Sequence, residues 1–169
     1  MKKLGAMLIL FSCLLYCLRF IKGQRARLRE LESLALLLES MGTELGQRLT
    51  PLPELIGLME GRAGGSAEAF VARLQASLPR LGDESFADIW RGSASDSFRL
   101  LNEQELNSVA ELGVYLGRFD IAAQLRAIDD CARLLRDRAL LLRREQRDKR
   151  RVRLGLACAG GAMLVIVLI

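Results

Sequence analysis

From Gln24 to Leu49 apolar residues recur three and four positions apart, at Leu28, Leu31, Ala35, Leu38, Gly42, Leu45 and Leu49. This alternation is a heptad seam, the pattern of a helix that lays one stripe against another helix. Leu34, Leu36 and Leu37 widen the stripe, so the helix is expected to bury more than a narrow seam. A second seam runs through Ile121, Leu125, Ile128, Ala132, Leu135, Ala139 and Leu142. No proline interrupts it further on, which predicts one helix of about fifty residues, roughly 75 Å long at ~1.5 Å per residue, from Asp120 onward.

The stretch between the seams is punctuated into shorter helices. Thr50-Pro51-Leu52-Pro53-Glu54 stops the first long helix, because each proline disfavours helical backbone at the residue before it. Thr50 or Leu52 then precedes a short helix from Glu54 to Met59. Gly61-Arg62-Ala63-Gly64-Gly65-Ser66 reads as a flexible loop, lacking the Gly-Lys-Ser/Thr ending that a phosphate-cradling loop requires. Ser66 with Glu68 or Ala69 opens a helix to about Leu78, and Pro79 and Gly82 break it. Asp83 is expected to cap a short helix carrying Phe86, Ile89 and Trp90, with Trp90 as a packing anchor, before a polar loop at Gly92-Ser93-Ala94-Ser95-Asp96-Ser97. Asn102 caps a helix to about Leu116, with Leu106, Val109, Leu112 and Leu116 or Tyr115 on one face, and Gly117 ends it.

No strand-like alternation of useful length occurs. The fold class is therefore all-α, a helical bundle built on two long antiparallel helices, with the shorter helices capping the far end. Glu30, Glu32, Glu39, Arg126, Asp130, Arg133 and Arg136 read as solvated helix faces.

The ends of the chain change this picture. Leu154 to Ile169 contains no charge and follows a basic run from Arg143 to Arg153. As a helix it is about 24 Å long at ~1.5 Å per residue, close to the hydrocarbon thickness of a bilayer once flanking arginines snorkel. Near the start, Leu4 to Leu18 is a second apolar run, preceded by Lys2 and Lys3 and followed by Arg19 and Lys22. A signal peptide has the same basic start and apolar core, but no small residues stand at a cleavage spacing after it, and the run is read as an uncleaved transmembrane helix. Basic residues crowd the inner flank of both runs, so the positive-inside rule orients the middle toward the cytoplasm. The expected organisation is a transmembrane helix and flank over residues 1–22, a cytoplasmic helical domain over 23–152, and a transmembrane anchor over 153–169, flanking the bundle on both sides.

Composition narrows the chemistry. The chain has no histidine, and no lysine stands between Lys22 and Lys149. Two common catalytic bases and nucleophiles are thus missing from the middle. Three of the four cysteines, Cys13, Cys17 and Cys158, lie in the apolar runs, which leaves Cys131 alone and gives neither a disulfide framework nor metal-ligand spacing. An enzyme would have to rest on Asp129, Asp130 or Cys131. The expectation is no catalytic residue, cofactor, metal or small-molecule substrate. The net charge of +5 sits mostly beside the apolar runs, as a stop-transfer flank rather than a nucleic-acid face.

Several short patterns, in this order and spacing, resemble the stage III sporulation protein AB family of endospore-forming bacteria. They are Leu4-Gly5; Arg29, Leu31, Leu34, Leu38-Glu39 and Glu44, leading to Thr50-Pro51-Leu52; Leu116-Gly117 followed by Asp120 and Gln124; and Arg153-Leu154-Gly155 with Gly160-Gly161 and Leu164-Val165-Ile166-Val167-Leu168-Ile169. The resemblance spans nearly the whole chain and is weakest from Gly61 to about Leu101. It implies a mother-cell membrane protein within a channel or secretion-like apparatus facing the forespore. It also implies a cytoplasmic domain similar to the helical F-type platform domain of type II secretion and type IV pilus systems, working beside a cytoplasmic secretion ATPase and other channel subunits. A membrane-tethered helical scaffold or signalling protein unrelated to transport would share the same anchors and seams.

In the paired arrangement the two turns joining long helices to short ones lie farthest from the membrane. Thr50, Pro51, Leu52 and Glu54 in one turn, and Gly117 and Asp120 in the other, are therefore the candidate partner-docking residues. Glu44 and Gln124, polar groups beside the seams, join them as groups able to bond across the pair or to a partner.

Overall fold

A computed structural model gives the fold. It describes residues 23, 25–48, 50–116 and 120–146 with their side chains, and the helical backbone over 2–48 and 121–168. The elements are α1 (Lys2–Arg48), α2 (Leu52–Met59), α3 (Ser66–Ser77), a 3-10 turn (Leu78–Arg80), α4 (Phe86–Ser97), α5 (Glu103–Arg118) and α6 (Ile121–Leu168). Apart from an isolated bridge between Leu81 and Glu84, the regular structure of the described residues is helical. Among the described residues no helix is long and apolar enough to cross a membrane. The two apolar runs expected to be anchors, over 1–22 and 153–169, lie outside them.

The two seams meet as expected, and α1 packs against α6 more extensively than any other pair of elements. Leu31, Ala35, Leu38 and Leu45 of α1 and Ile128, Ala132, Leu135 and Ala139 of α6 are buried in one core. Their register is antiparallel. Arg143 pairs with Glu32 at 2.6 Å, Arg136 pairs with Glu39, and a methyl added to Gly42 would stand 3.2 Å from Ile128 Cγ2. The missing side chain at Gly42 lets the helices approach closely where they near the turns.

Some residues of the widened stripe behave differently from expectation. Leu34 and Leu37 are buried, together with Met41, but Leu36 is 61% exposed, lying at the open edge of the contact with α6 on the side away from the short helices. Ile121, at the first turn of α6, is also exposed.

Of the short helices only α2 lies at the far end; α3 to α5 do not cap it as expected. They pack along one flank of the hairpin, because buried carboxylates on and facing α1 fix them there. Glu105, in the first turn of α5, accepts from Arg27 at 3.0 and 3.2 Å, and Glu30 accepts from the Leu100 amide at 3.0 Å and the Ser66 hydroxyl at 3.3 Å. Glu30 is 9% exposed, so it is a buried structural carboxylate and not the solvated one expected. Its hydrogen bonds are what make that burial tolerable.

Within this flank, Trp90 is the anchor. Its ring meets Phe70 edge to face at 4.9 Å, and its Nε1 donates to the Val109 carbonyl at 2.7 Å. A Cβ on Gly113 would come within 2.7 Å of that ring, so the indole lies directly on the α5 backbone. Three helix boundaries shift from expectation. Leu52 rather than Glu54 starts α2, since a proline as early as Pro53 removes only an amide that would lack an intrahelical partner. Ser85, not Asp83, caps α4 through the Asp88 amide at 3.2 Å, because Asp83 is held in the turn by its own amide bond to the Arg80 carbonyl. The stretch expected as a polar loop is the last half of α4, where Ser93 and Ala94 are buried. Small residues there allow α4 to lie close to its neighbours.

Candidate docking site

The antiparallel register brings the end of α1, α2 and the start of α6 to one end of the bundle. A methyl added to Gly46 would touch Leu125 at 3.6 Å. The Thr50 to Glu54 turn and Asp120 therefore lie at the same end of the bundle. Their side chains divide into groups that build the turn and groups that face solvent.

Thr50 is buried, and Leu52 packs at the edge of the core. Pro51 is exposed, yet its carbonyl already accepts the Leu55 amide at 2.9 Å and so starts α2. Glu54 is exposed in the first turn of α2, where a negative charge complements the helix dipole. Asp120 is exposed and caps α6, with Oδ1 accepting from the Ala123 amide at 2.8 Å and its carbonyl accepting from the Gln124 amide at 3.0 Å. Gln124 is half-buried and has a polar partner. Gly117 lies outside the residues described with their surroundings.

Glu44 is half-buried, and its carboxylate spans Arg48 at 3.5 Å and Arg62 at 3.4 Å. It bonds within the fold, tying α1 to the loop before α3. Of the eight candidates, Glu54, Pro51 and Asp120 thus present polar or accessible surface, whereas Thr50, Leu52 and Glu44 chiefly hold the end together.

The residues on which an enzyme would have to rest are placed otherwise. Cys131 is buried, its thiol pushed up to about 12 by loss of solvation, and its Sγ donates to the Ser108 carbonyl at 3.9 Å. Such a thiol is not a nucleophile at neutral pH. Asp129 pairs with Arg133 of its own helix at 2.8 Å. Asp130 is exposed.

A second surface feature was not evident from the seams. Ala35 and Leu36 of α1 and Ala139 and Leu140 of α6 line a shallow groove, with Glu32, Arg136 and Arg143 at its margins. The only sequence signal for it is the phase of Leu36 and Leu140, which lie to one side of each buried stripe.

This architecture defines an all-helical protein, a long antiparallel helix hairpin with a flank of shorter helices. The pattern of one known family, stage III sporulation protein AB, matches residues 2–169, and the chain belongs to that family. A solved structure described as "Stage III sporulation protein AB (SpoIIIAB)" is similar to it, with a TM-score of 0.63 and 19% identity, covering 73% of this chain and 98% of that one. At that identity the likeness speaks for the fold. Among curated protein sequences none matches this chain.

Proposed function

We propose that the protein is a non-enzymatic membrane platform subunit of a sporulation channel or secretion-like complex between mother cell and forespore. The observation that carries this reading is the antiparallel pairing of α1 and α6, which brings residue 23 and residue 146 to the same end of the bundle. The apolar runs before and after them then enter one membrane from one side, each preceded on the bundle side by basic residues. The helical domain hangs in the mother-cell cytoplasm, tethered at both ends. Its far end, with Glu54 and Asp120 exposed, faces the interior, where a cytoplasmic secretion-type ATPase would dock.

Family membership supports the sporulation setting, and the position of the polar turns supports the docking end. Two measurements test the reading. A reporter inserted at the exposed Gly64-Gly65 loop is expected to behave as cytoplasmic, and an outward-facing reporter overturns the topology. A pull-down of the intact protein from membranes of sporulating cells is expected to recover an ATPase and other channel subunits. Combining Glu54→Lys with Asp120→Asn should remove the ATPase alone, since asparagine preserves the α6 cap while losing the charge. Retention of the ATPase by that variant excludes this end as its docking site.

A further inference from the structure

The groove between α1 and α6 is an apolar feature that the bundle leaves uncovered. Leu36 is 61% exposed and Leu140 is 51% exposed, and no residue of α2 to α5 lines the groove. Its margins are ordered by charge. Glu32 and Glu39 stand on the α1 side, Arg143 and Arg136 on the α6 side, and they face each other in pairs at two levels along the hairpin. An acidic row on α1 thus runs beside a basic row on α6, with Leu36 and Leu140 at the level between the two ion pairs.

The geometry points to a second copy of this chain as the occupant, docked face to face about a two-fold axis running along the helices. Rotation about that axis sets α1 of one copy opposite α6 of the other at the same level. Glu32 then faces Arg143 of the second copy, and Glu39 faces its Arg136, while Leu36 meets the other copy's Leu140. Each existing ion pair becomes half of a four-charge network of alternating sign, closing over an apolar strip. A two-fold axis across the helices would instead set α1 against α1 and oppose like charges, which disfavours it by repulsion. Charge alone therefore selects the longitudinal axis. Isologous pairing of this kind closes on itself and stops at a dimer. The same axis keeps both copies upright on one membrane, in agreement with the proposed topology but without depending on it.

Cross-linking of the full chain in membranes tests both the contact and the axis. Cys13, Cys17 and Cys158 are replaced by serine, and Cys131 stays because it is buried. Two differently tagged chains, one with Leu36→Cys and one with Leu140→Cys, are co-expressed and treated with a short bifunctional thiol reagent. The expected product is a covalent dimer of unlike chains, with little product from either chain expressed alone. No unlike dimer, or equal cross-linking by the Leu36→Cys chain alone, overturns the proposal. Independently, Leu36→Asp in the detergent-solubilised full chain should weaken self-association at least about tenfold, by the loss of a central apolar contact, with helix content unchanged. Unchanged association also overturns it, and a monomeric parent protein at tens of micromolar, on the order of common working concentrations, does the same.

Discussion

The hairpin of α1 and α6 shows one flank to α2, α3 and α5, with α4 packed behind them, and the opposite face to solvent, and the two are built differently. The covered flank is fixed by buried polar groups, Glu30 and Glu105 with several partners each and the Trp90 indole with the Val109 carbonyl. The open face carries ion pairs between half-exposed side chains and two leucines left in water. A buried carboxylate binding backbone amides specifies where an element must lie, because leaving either side unpaired is costly. A surface ion pair specifies much less. The fold is thus determined on one side and left available for association on the other.

The largest effect is expected where the covered flank is densest. Trp90→Ala should lower stability by roughly 3–5 kcal/mol through cavity formation, and it also removes the indole bond to the Val109 carbonyl. Gly113→Ala probes the same contact from the other side, since its methyl would meet the indole at 2.7 to 2.9 Å. Overpacking costs about 1–3 kcal/mol, against a gain of at most about 1 kcal/mol from helix propensity, so the variant is expected to melt earlier. Thermal unfolding of the full chain followed by circular dichroism measures both. Stability equal to the parent in either variant would mean that α4 is not clamped on α5.

Glu105 comes next. It accepts from Arg27 and from the Asn102 amide at 2.8 Å, while Asn102 Oδ1 accepts the Glu105 amide at 2.7 Å. This reciprocal cap is doubled by an ion pair to α1, with Glu105 only 1% exposed. Glu105→Ala should cost about 1–3 kcal/mol, because the helix cap and the tie to α1 are lost together. Arg27→Ala keeps the cap but leaves the buried Glu105 carboxylate without its cation, so it should cost at least as much. A clearly smaller loss for Arg27→Ala would place most of the effect in the cap.

How much of this was legible in sequence follows from the range of each interaction. The seams were readable because Leu31, Leu38, Ile128 and Leu135 repeat locally, and a repeat carries its own phase. The turns were readable because proline acts on its neighbour. Asn102 was recognisable as a cap from its position before a periodic stretch. Glu30 was not recognisable as buried, because its partners stand 36 and 70 residues away and nothing near it in sequence announces them. Gly92 to Ser97 resembles a loop by composition, yet Ser93 and Ala94 are helical because packing of α4 overrides weak local preference. Leu36 sits among Leu34, Leu37 and Leu38, where a run of leucines conceals which one faces outward. Among the candidate docking residues, spacing placed the turns together but could not separate exposed Glu54 from buried Thr50.

The smallest effect on stability is expected on the open face, and its smallness is the sharpest test of the contrast. Leu36 contributes little burial within the chain, so Leu36→Asp should change the unfolding free energy by no more than about 0.5 kcal/mol when the protein is dilute enough to be monomeric. Arg136→Gln should likewise cost about 0–1 kcal/mol, since its pairing with Glu39 is half-exposed and screened by salt. Both variants should come still closer to the parent as ionic strength rises, because salt screens the Arg136–Glu39 pair in one case and the repulsion of the new aspartate by Glu32 and Glu39 in the other. The same measurements repeated at high protein concentration separate fold from association. If the open face joins two copies, the parent gains stability with concentration by mass action and the variants do not. A loss of several kcal/mol for Leu36→Asp at low concentration would mean that this face supports the fold of the single chain, and the division between a determined flank and an available one would not hold.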